Sequence, residues 1–253
     1  MFNPIDHPVF LLLFSLPVFW FSSWLAASFR KRQQDIQENT RSDLTLVLGG
    51  TLTLLGLIIG FTYSMAVTRY DQRKNYEEEE ANAIGTEYVG ADYLPTAEAA
   101  KIRALLKNYL YLRILYYEVG QRKKLSEING ETARLQAEMW TAVVPPTSAQ
   151  PTQVGALVVS GINDVLNSQG YTQAAWWNRI PIAAWTLLIV TSVFCNLLIG
   201  YSAHGRSNYV LLILPIALSL SLFLIADIDS PRGGTIQVQP QNLESLARSL
   251  NSQ

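Results

Sequence analysis

The chain has 253 residues, enough for one or two domains at roughly 100–200 residues each. Apolar residues make up 49% of it and Asp, Glu, Lys and Arg only 15%, well under the ~25% charged share of soluble domains, so the composition points to a membrane protein. A net charge of -1 lacks the basic excess of a nucleic-acid-binding face, and the single cysteine, Cys195, excludes an internal disulfide and a thiolate metal cluster.

About 20 apolar residues are needed to cross a hydrocarbon core of about 30 Å, and four stretches qualify. The first, from Pro8 to Phe29, has no ionisable side chain; it carries Trp20, Trp24 and a Pro17 that can kink it. Arg30, Lys31 and Arg32 follow this stretch rather than precede it, so it is expected to be a retained helix and not a cleaved signal peptide. The second runs from Leu44 to Thr68, between Asp43 and Arg69. The third, Ile180 to Ala203, follows Trp176 and Trp177, a pair suited to the headgroup belt; the fourth lies between Arg206 and Asp227.

The fold class is therefore all-α: an integral membrane protein with four transmembrane helices in two hairpins and a helical insert between spans two and three. The expected domains are 1–68 (spans about 8–29 and 44–68), the insert 69–178, the second hairpin 179–229 (spans about 180–203 and 207–226) and a tail, 230–253. Orientation does not follow from charge. Arg30, Lys31, Arg32, Arg41 and Arg206 on one side balance Arg69, Arg73, Lys74, Arg179 and Arg232 on the other.

Within span two, Gly49, Thr53, Gly56, Gly60 and Ser64 form a continuous small-residue stripe. Such a stripe allows close helix packing in lipid. Equally, it suits a pore-lining face, with Leu57 or Phe61 beside it as an apolar constriction. Beyond Thr68 the sequence turns abruptly charged, yet no strong helix breaker intervenes before Gly85, so the span-two helix is predicted to continue. In that register Arg73 precedes Glu77, and Lys74 precedes Glu78, by four residues, which suits solvated i,i+4 pairs. A second reading is open: Tyr70, Arg73, Glu77, Glu80, Ala81 and Ile84 share one face, where charges need partners on other helices or subunits.

In the insert, Ile102, Leu105, Leu106, Tyr109, Leu112 and Tyr116 lie at helical spacing after Pro95 and a plausible N-cap, Thr96. Gly130 and Pro145–Pro146 are expected to delimit a second helix around Thr132 to Ala142. A third is predicted over 152–170, with Val154, Leu157, Val158, Ile162 and Val165 aligned, and a short amphipathic helix is predicted from Asn242 to Leu250. The tyrosines Tyr109, Tyr111, Tyr116 and Tyr117 suit buried interfaces.

After span four come Asp227 and Asp229, at a helix C-terminus where negative charge is disfavoured. They call for a compensating arginine (Arg232, Arg69, Arg73 or Arg179) or, alternatively, mark a cation or regulatory site built from oxygens. With Arg69, Asp71, Arg73, Glu77 and Glu80 they form a candidate charge network at the membrane boundary. Enzymatic patterns are lacking: His7 and His204 have no neighbouring nucleophile motif, and there is no phosphate loop or metal-ligand spacing, so neither catalysis nor a cofactor is expected.

The stretch GFTYSMAVTRYDQRKNYEEEEANAIGTEYVGADYLP (60–95), the amphipathic segment 101–118 and DIDSPRGG after the last span resemble the bacterial bestrophin-like domain family. These are membrane proteins of uncharacterised function, remotely similar to bestrophin chloride channels. The resemblance implies a multi-pass protein of the bacterial inner membrane with the insert and both termini in the cytoplasm. By the more distant analogy it implies assembly of copies into a ring around an axial pore. Two functions follow as expectations: a homo-oligomeric ion channel with span two lining the pore, whose partners are the lipid bilayer, other copies of the chain and inorganic ions; or a non-conducting scaffold or sensor that recruits a cytoplasmic partner.

Overall fold

The computed structural model describes residues 6–31, 38–120, 122–149, 151–202 and 209–252. Within them the architecture is helical, without strands: α1 (Pro8–Lys31), α2 (Glu38–Gly90), α3 (Thr96–Glu118), α4 (Arg122–Ala149), α5 (Gln153–Trp177), α6 (Ile182–Ser202), α7 (Val210–Asp229) and α8 (Gln241–Asn251). A 3-10 turn, Ala91–Tyr93, follows α2. Four helical stretches are long and apolar enough to cross a membrane. The connections 32–37 and 203–208, with Arg32, His204 and Arg206, lie outside the described residues.

The chain divides into two compact units, Met1–Tyr70 with Arg179–Gln237, and Asp71–Asn178 with Val238–Gln253. In the first, α1 packs along both α6 and α7, and α6 touches α7. Their shared core contains Phe19, Trp185, Leu188, Cys195, Leu222 and Ile225, and α2 adds Leu55 and Ala66 to it. Close approach of α1 and α6 depends on Gly200, where an added Cβ would come within 2.1 Å of the Ser23 carbonyl oxygen. Polar groups are matched at the same crossing, since Ser23 Oγ donates to the backbone and side-chain oxygens of Asn196 at 3.2 and 3.1 Å. Large apolar side chains such as Phe10, Phe14, Phe21, Leu187 and Phe194 face outward, as lipid-facing positions do.

α2 has 53 residues, about 80 Å at 1.5 Å per residue, more than twice the hydrocarbon thickness. It carries the uncharged stretch from Leu44 to Thr68 and continues past Gly85 to Gly90.

In the second unit, α3 packs on α4 and α8, and α4 packs on α5. The α3 register buries Ile102, Leu106, Tyr109 and Tyr116 as its spacing predicts, while Leu112 is half-buried and Arg113 takes the inward position. On α5, Val158, Ile162 and Val165 are buried, but Val154 and Leu157 in its first turns are exposed. Tyr111 is exposed too, unlike Tyr109, Tyr116 and Tyr117.

Three boundaries differ from the sequence reading. α4 runs through Gly130, Pro145 and Pro146 instead of being confined to 132–142. Buried Ile128, Leu135, Met139 and Val143 on one face outweigh the roughly 1 kcal/mol cost of a helical glycine. Near the end, Pro145 and Pro146 remove the amide donors of the Thr141 and Ala142 carbonyls, and the Thr147 hydroxyl donates to the Val143 and Val144 carbonyls at 2.8 and 3.1 Å. Thr96 is the first residue of α3 and not its cap, a position held by Pro95. The helix expected over 152–170 extends to Trp177, and Thr152 caps it by accepting from Gly155 N at 2.9 Å.

Candidate functional site

Three groups of residues carry the chemistry that the sequence singles out. The first is the small-residue stripe of α2. Leu52, Leu55, Ile59 and Ala66 lie on the packed side of the span; Gly49, Thr53, Gly56, Leu57, Gly60, Phe61 and Ser64 occupy the opposite, exposed side. Nothing lies within 4 Å of where a Cβ would sit on Gly49, Gly56 or Gly60. Among the described residues of one chain, the glycines of the stripe pack against no helix. Of the most apolar window in this helix 6% is buried, against 50% in α7.

The second group is the charged continuation of α2. Lys74, Glu78 and Glu79 are exposed, as is Asp71, but Arg73, Glu77 and Glu80 are buried, so the charges sort by helix face. Glu77 accepts from Asn242 N and Leu243 N at 2.9 Å each and from Asn242 Nδ2 at 2.6 Å. These are N-terminal amides of α8, whose cap position is Pro240, a residue with no capping side chain. A carboxylate from α2 therefore supplies the cap of α8, satisfying two of its orphan N–H groups and opposing its dipole. Burial raises the pKa of Glu77, and the three donors pull against that rise.

Glu80 faces α3 and α5. Arg113 Nε donates to its Oε1 at 2.5 Å, Arg113 Nη2 to Oε2 at 3.4 Å and Thr172 Oγ1 to Oε2 at 3.1 Å. Both side chains of the ion pair have no exposed surface. Burial alone would lower the pKa of Arg113, yet the facing Glu80 carboxylate outweighs it and the guanidinium stays charged. The Arg113 guanidinium also lies 4.3 Å from the centre of the Tyr116 ring, and Tyr116, Tyr117 and Trp176 pack edge-on against one another. Arg113 and Thr172 were not legible as partners of Glu80. The one signal was a charged residue in an apolar register, since Leu106, Tyr109, Arg113 and Tyr116 recur at helical spacing.

The third group sits at the end of α7. Asp229 accepts from Ile180 N at 3.2 Å and from Arg179 Nε at 3.0 Å, and Arg179 Nη1 reaches Asp6 at 2.8 Å. Arg179 is thus the arginine that Asp229 calls for. Asp227 is satisfied without a cation: Thr235 N at 2.7 Å, Thr235 Oγ1 at 2.8 Å and Ile236 N at 3.0 Å all donate to it. Asp227 holds the turn after α7, whereas Asp229 ties the end of α7 to the residues before α6; in the turn Gly233 and Gly234 let backbone approach backbone, since an added Cβ would come within 1.9 Å of the Asp6 carbonyl oxygen and 2.2 Å of the Asp227 carbonyl oxygen. Among the described residues no three His, Cys, Asp or Glu side chains come together as a metal site would need. Arg69 is half-buried, and its Nη1 has no hydrogen-bond partner.

Four membrane-length helices with outward apolar side chains, joined to a helical unit with a buried ion pair, define a multi-span α-helical membrane protein. Residues 11–243 match the family model of the Bestrophin-like domain, and the chain belongs to that family. The same fold occurs in a tryptophan-to-alanine variant of a bacterial bestrophin homologue from Klebsiella pneumoniae, at 14% identity and a TM-score of 0.66, covering 95% of this chain and 96% of that one. A second structure of a Klebsiella pneumoniae bestrophin homologue matches at 15% identity and a TM-score of 0.65, covering 96% of this chain and 97% of that one. A tyrosine-to-alanine variant matches at 16% and 0.64, covering 95% and 98%. The curated proteins hold no match.

Proposed function

We propose that this protein is a homo-oligomeric ion channel of the bacterial inner membrane, with the α2 span lining an axial pore and inorganic ions as the permeating species. The observation that carries this reading is the exposed face of that span. Gly49, Gly56 and Gly60 have open space where a side chain would sit, and the face opposite them is packed. An apolar span with a narrow, unoccupied face is suited either to other copies of itself or to water and ions, and a ring of copies provides both. Leu57 and Phe61 flank the stripe and supply the apolar constriction, which gates by dewetting. Membership of the bestrophin-like family, remotely similar to chloride channels, supports the same assembly, with the insert and both termini in the cytoplasm.

Ion flux from purified protein in liposomes tests the proposal, with chloride, potassium and sodium gradients compared in turn and native mass measured on the same sample. A selective flux from a ring-sized assembly, reduced by Gly60→Leu and increased by Phe61→Ala, is the expected result. A folded monomer without flux at any calcium concentration or pH overturns it in favour of a scaffold or sensor.

A further inference from the structure

The buried face of α2 carries a third carboxyl group, in register with Arg73, Glu77, Glu80 and Ile84: Glu87, only 3% exposed. Glu77 and Glu80 are saturated with donors, but Glu87 Oε1 has no hydrogen-bond partner. The side chain is pressed against α5, where a Cβ added to Gly161 would come within 1.8 Å of Glu87 Oε2. Only glycine at 161 admits this carboxyl group. Among the described residues, the charged groups around it give no compensation. Asp164, one turn beyond Gly161 on α5, has the same sign as an ionised Glu87; Asp92 in the turn and Arg103 on α3 pair with each other, and Arg103 also donates to the Tyr88 carbonyl at 3.3 Å.

An ionised carboxylate in such a place is an uncompensated buried charge, whereas the protonated acid is a neutral group of the same shape. We propose that Glu87 is a proton-held latch within the insert: as the neutral acid it lets α5 close on α2 at Gly161, and on losing its proton it drives that contact open. Burial first, and Asp164 second, push its pKa from 4.5 up to about 8 in the closed contact. The sign follows from proton linkage. Between those two values the closed form holds a proton that the opened, solvated form does not. Closure is therefore at full strength below about 4.5, weakens as the pH rises and levels off above about 8. The latch stands whether or not the membrane unit conducts.

Hydrogen exchange of the full-length protein in detergent between pH 5 and 9, with the intrinsic pH dependence of exchange divided out, reads the opening of α5 around Gly161. Wild type is expected to open more as pH rises, by about tenfold per unit at the steepest, reaching a plateau near 8. Glu87→Gln removes this slope. Asp164→Asn, a change at an exposed position, brings the plateau to lower pH because the like charge is gone. Identical slopes in wild type and Glu87→Gln overturn the latch. Should Glu87→Gln fail to fold, an unmoved plateau in Asp164→Asn overturns it alone.

Discussion

Glu80 of α2 and Arg113 of α3 form an ion pair with neither side chain exposed, Nε to Oε1 at 2.5 Å, beside the buried Tyr109, Tyr116, Thr172 and Trp176. Breaking such a pair from one side strands the other charge, at a cost of about 3–5 kcal/mol, whereas replacing both partners with apolar groups is much milder. Arg113→Met is expected to lower the unfolding free energy by that amount in denaturant titrations, and Glu80→Leu with Arg113→Met to recover most of it. Equal losses in the single and double variants would assign the stability to the pair itself.

Glu77 caps α8 from outside that helix. Glu77→Ala leaves Asn242 N and Leu243 N without their acceptor, a loss of about 1–3 kcal/mol concentrated on the attachment of α8. Limited proteolysis should cut the C-terminal segment sooner in the variant, while cleavage within α3 and α4 keeps its wild-type rate. Unchanged cleavage at α8 would mean that Leu243, Ala247 and Leu250, its buried apolar residues, hold it unaided.

Two kinds of glycine should behave oppositely. Gly200→Ala forces a Cβ against the Ser23 backbone and should lower the melting temperature of the detergent-solubilised protein. Gly56→Ala, with open space around it, should leave the stability of the single chain unchanged or raise it by up to about 1 kcal/mol, since a helical glycine is replaced without a clash. The second substitution is expected to show itself in native mass or ion flux, where the exposed face meets its surroundings. A large melting-temperature loss in Gly56→Ala together with wild-type assembly would contradict this division.

Asp227 accepts three hydrogen bonds from Thr235 and Ile236 in the turn after α7. Asp227→Ala orphans those donors, at about 1–3 kcal/mol for each that stays buried, and should open the chain around residues 231–237 to protease. Asp227→Asn keeps an acceptor oxygen and should fall between the two. Protection equal to wild type in Asp227→Ala would show that the close backbone approaches at Gly233 and Gly234 suffice.

Much of the helical layout was legible because it follows from periodicity and from uninterrupted apolar length. The long reach of α2, the inward residues of α3 and the short C-terminal helix are all of this kind. Element ends were less legible: Gly130, Pro145 and Pro146 looked like boundaries, but a buried face across α4 outweighs local propensity. At the candidate sites, residue types were visible and partners were not. Arg179 could be named as one of several possible partners for the acids after α7, but Arg113 and Thr172 could not be tied to Glu80, because sequence separations of 33 and 92 residues leave no local pattern.

By itself, then, the sequence determined that this is an all-helical membrane protein of the bestrophin-like kind, because lipid demands long uncharged helices and those are written contiguously along the chain. The tertiary structure alone decided which charges are buried and what satisfies them. Glu77 met the amides of α8, Glu80 met Arg113 and Thr172, and Glu87 met Gly161 and the like charge of Asp164. The physical reason is that desolvation and hydrogen bonding depend on groups brought together from distant parts of the chain, and three glutamates on one helix face are alike until those groups arrive.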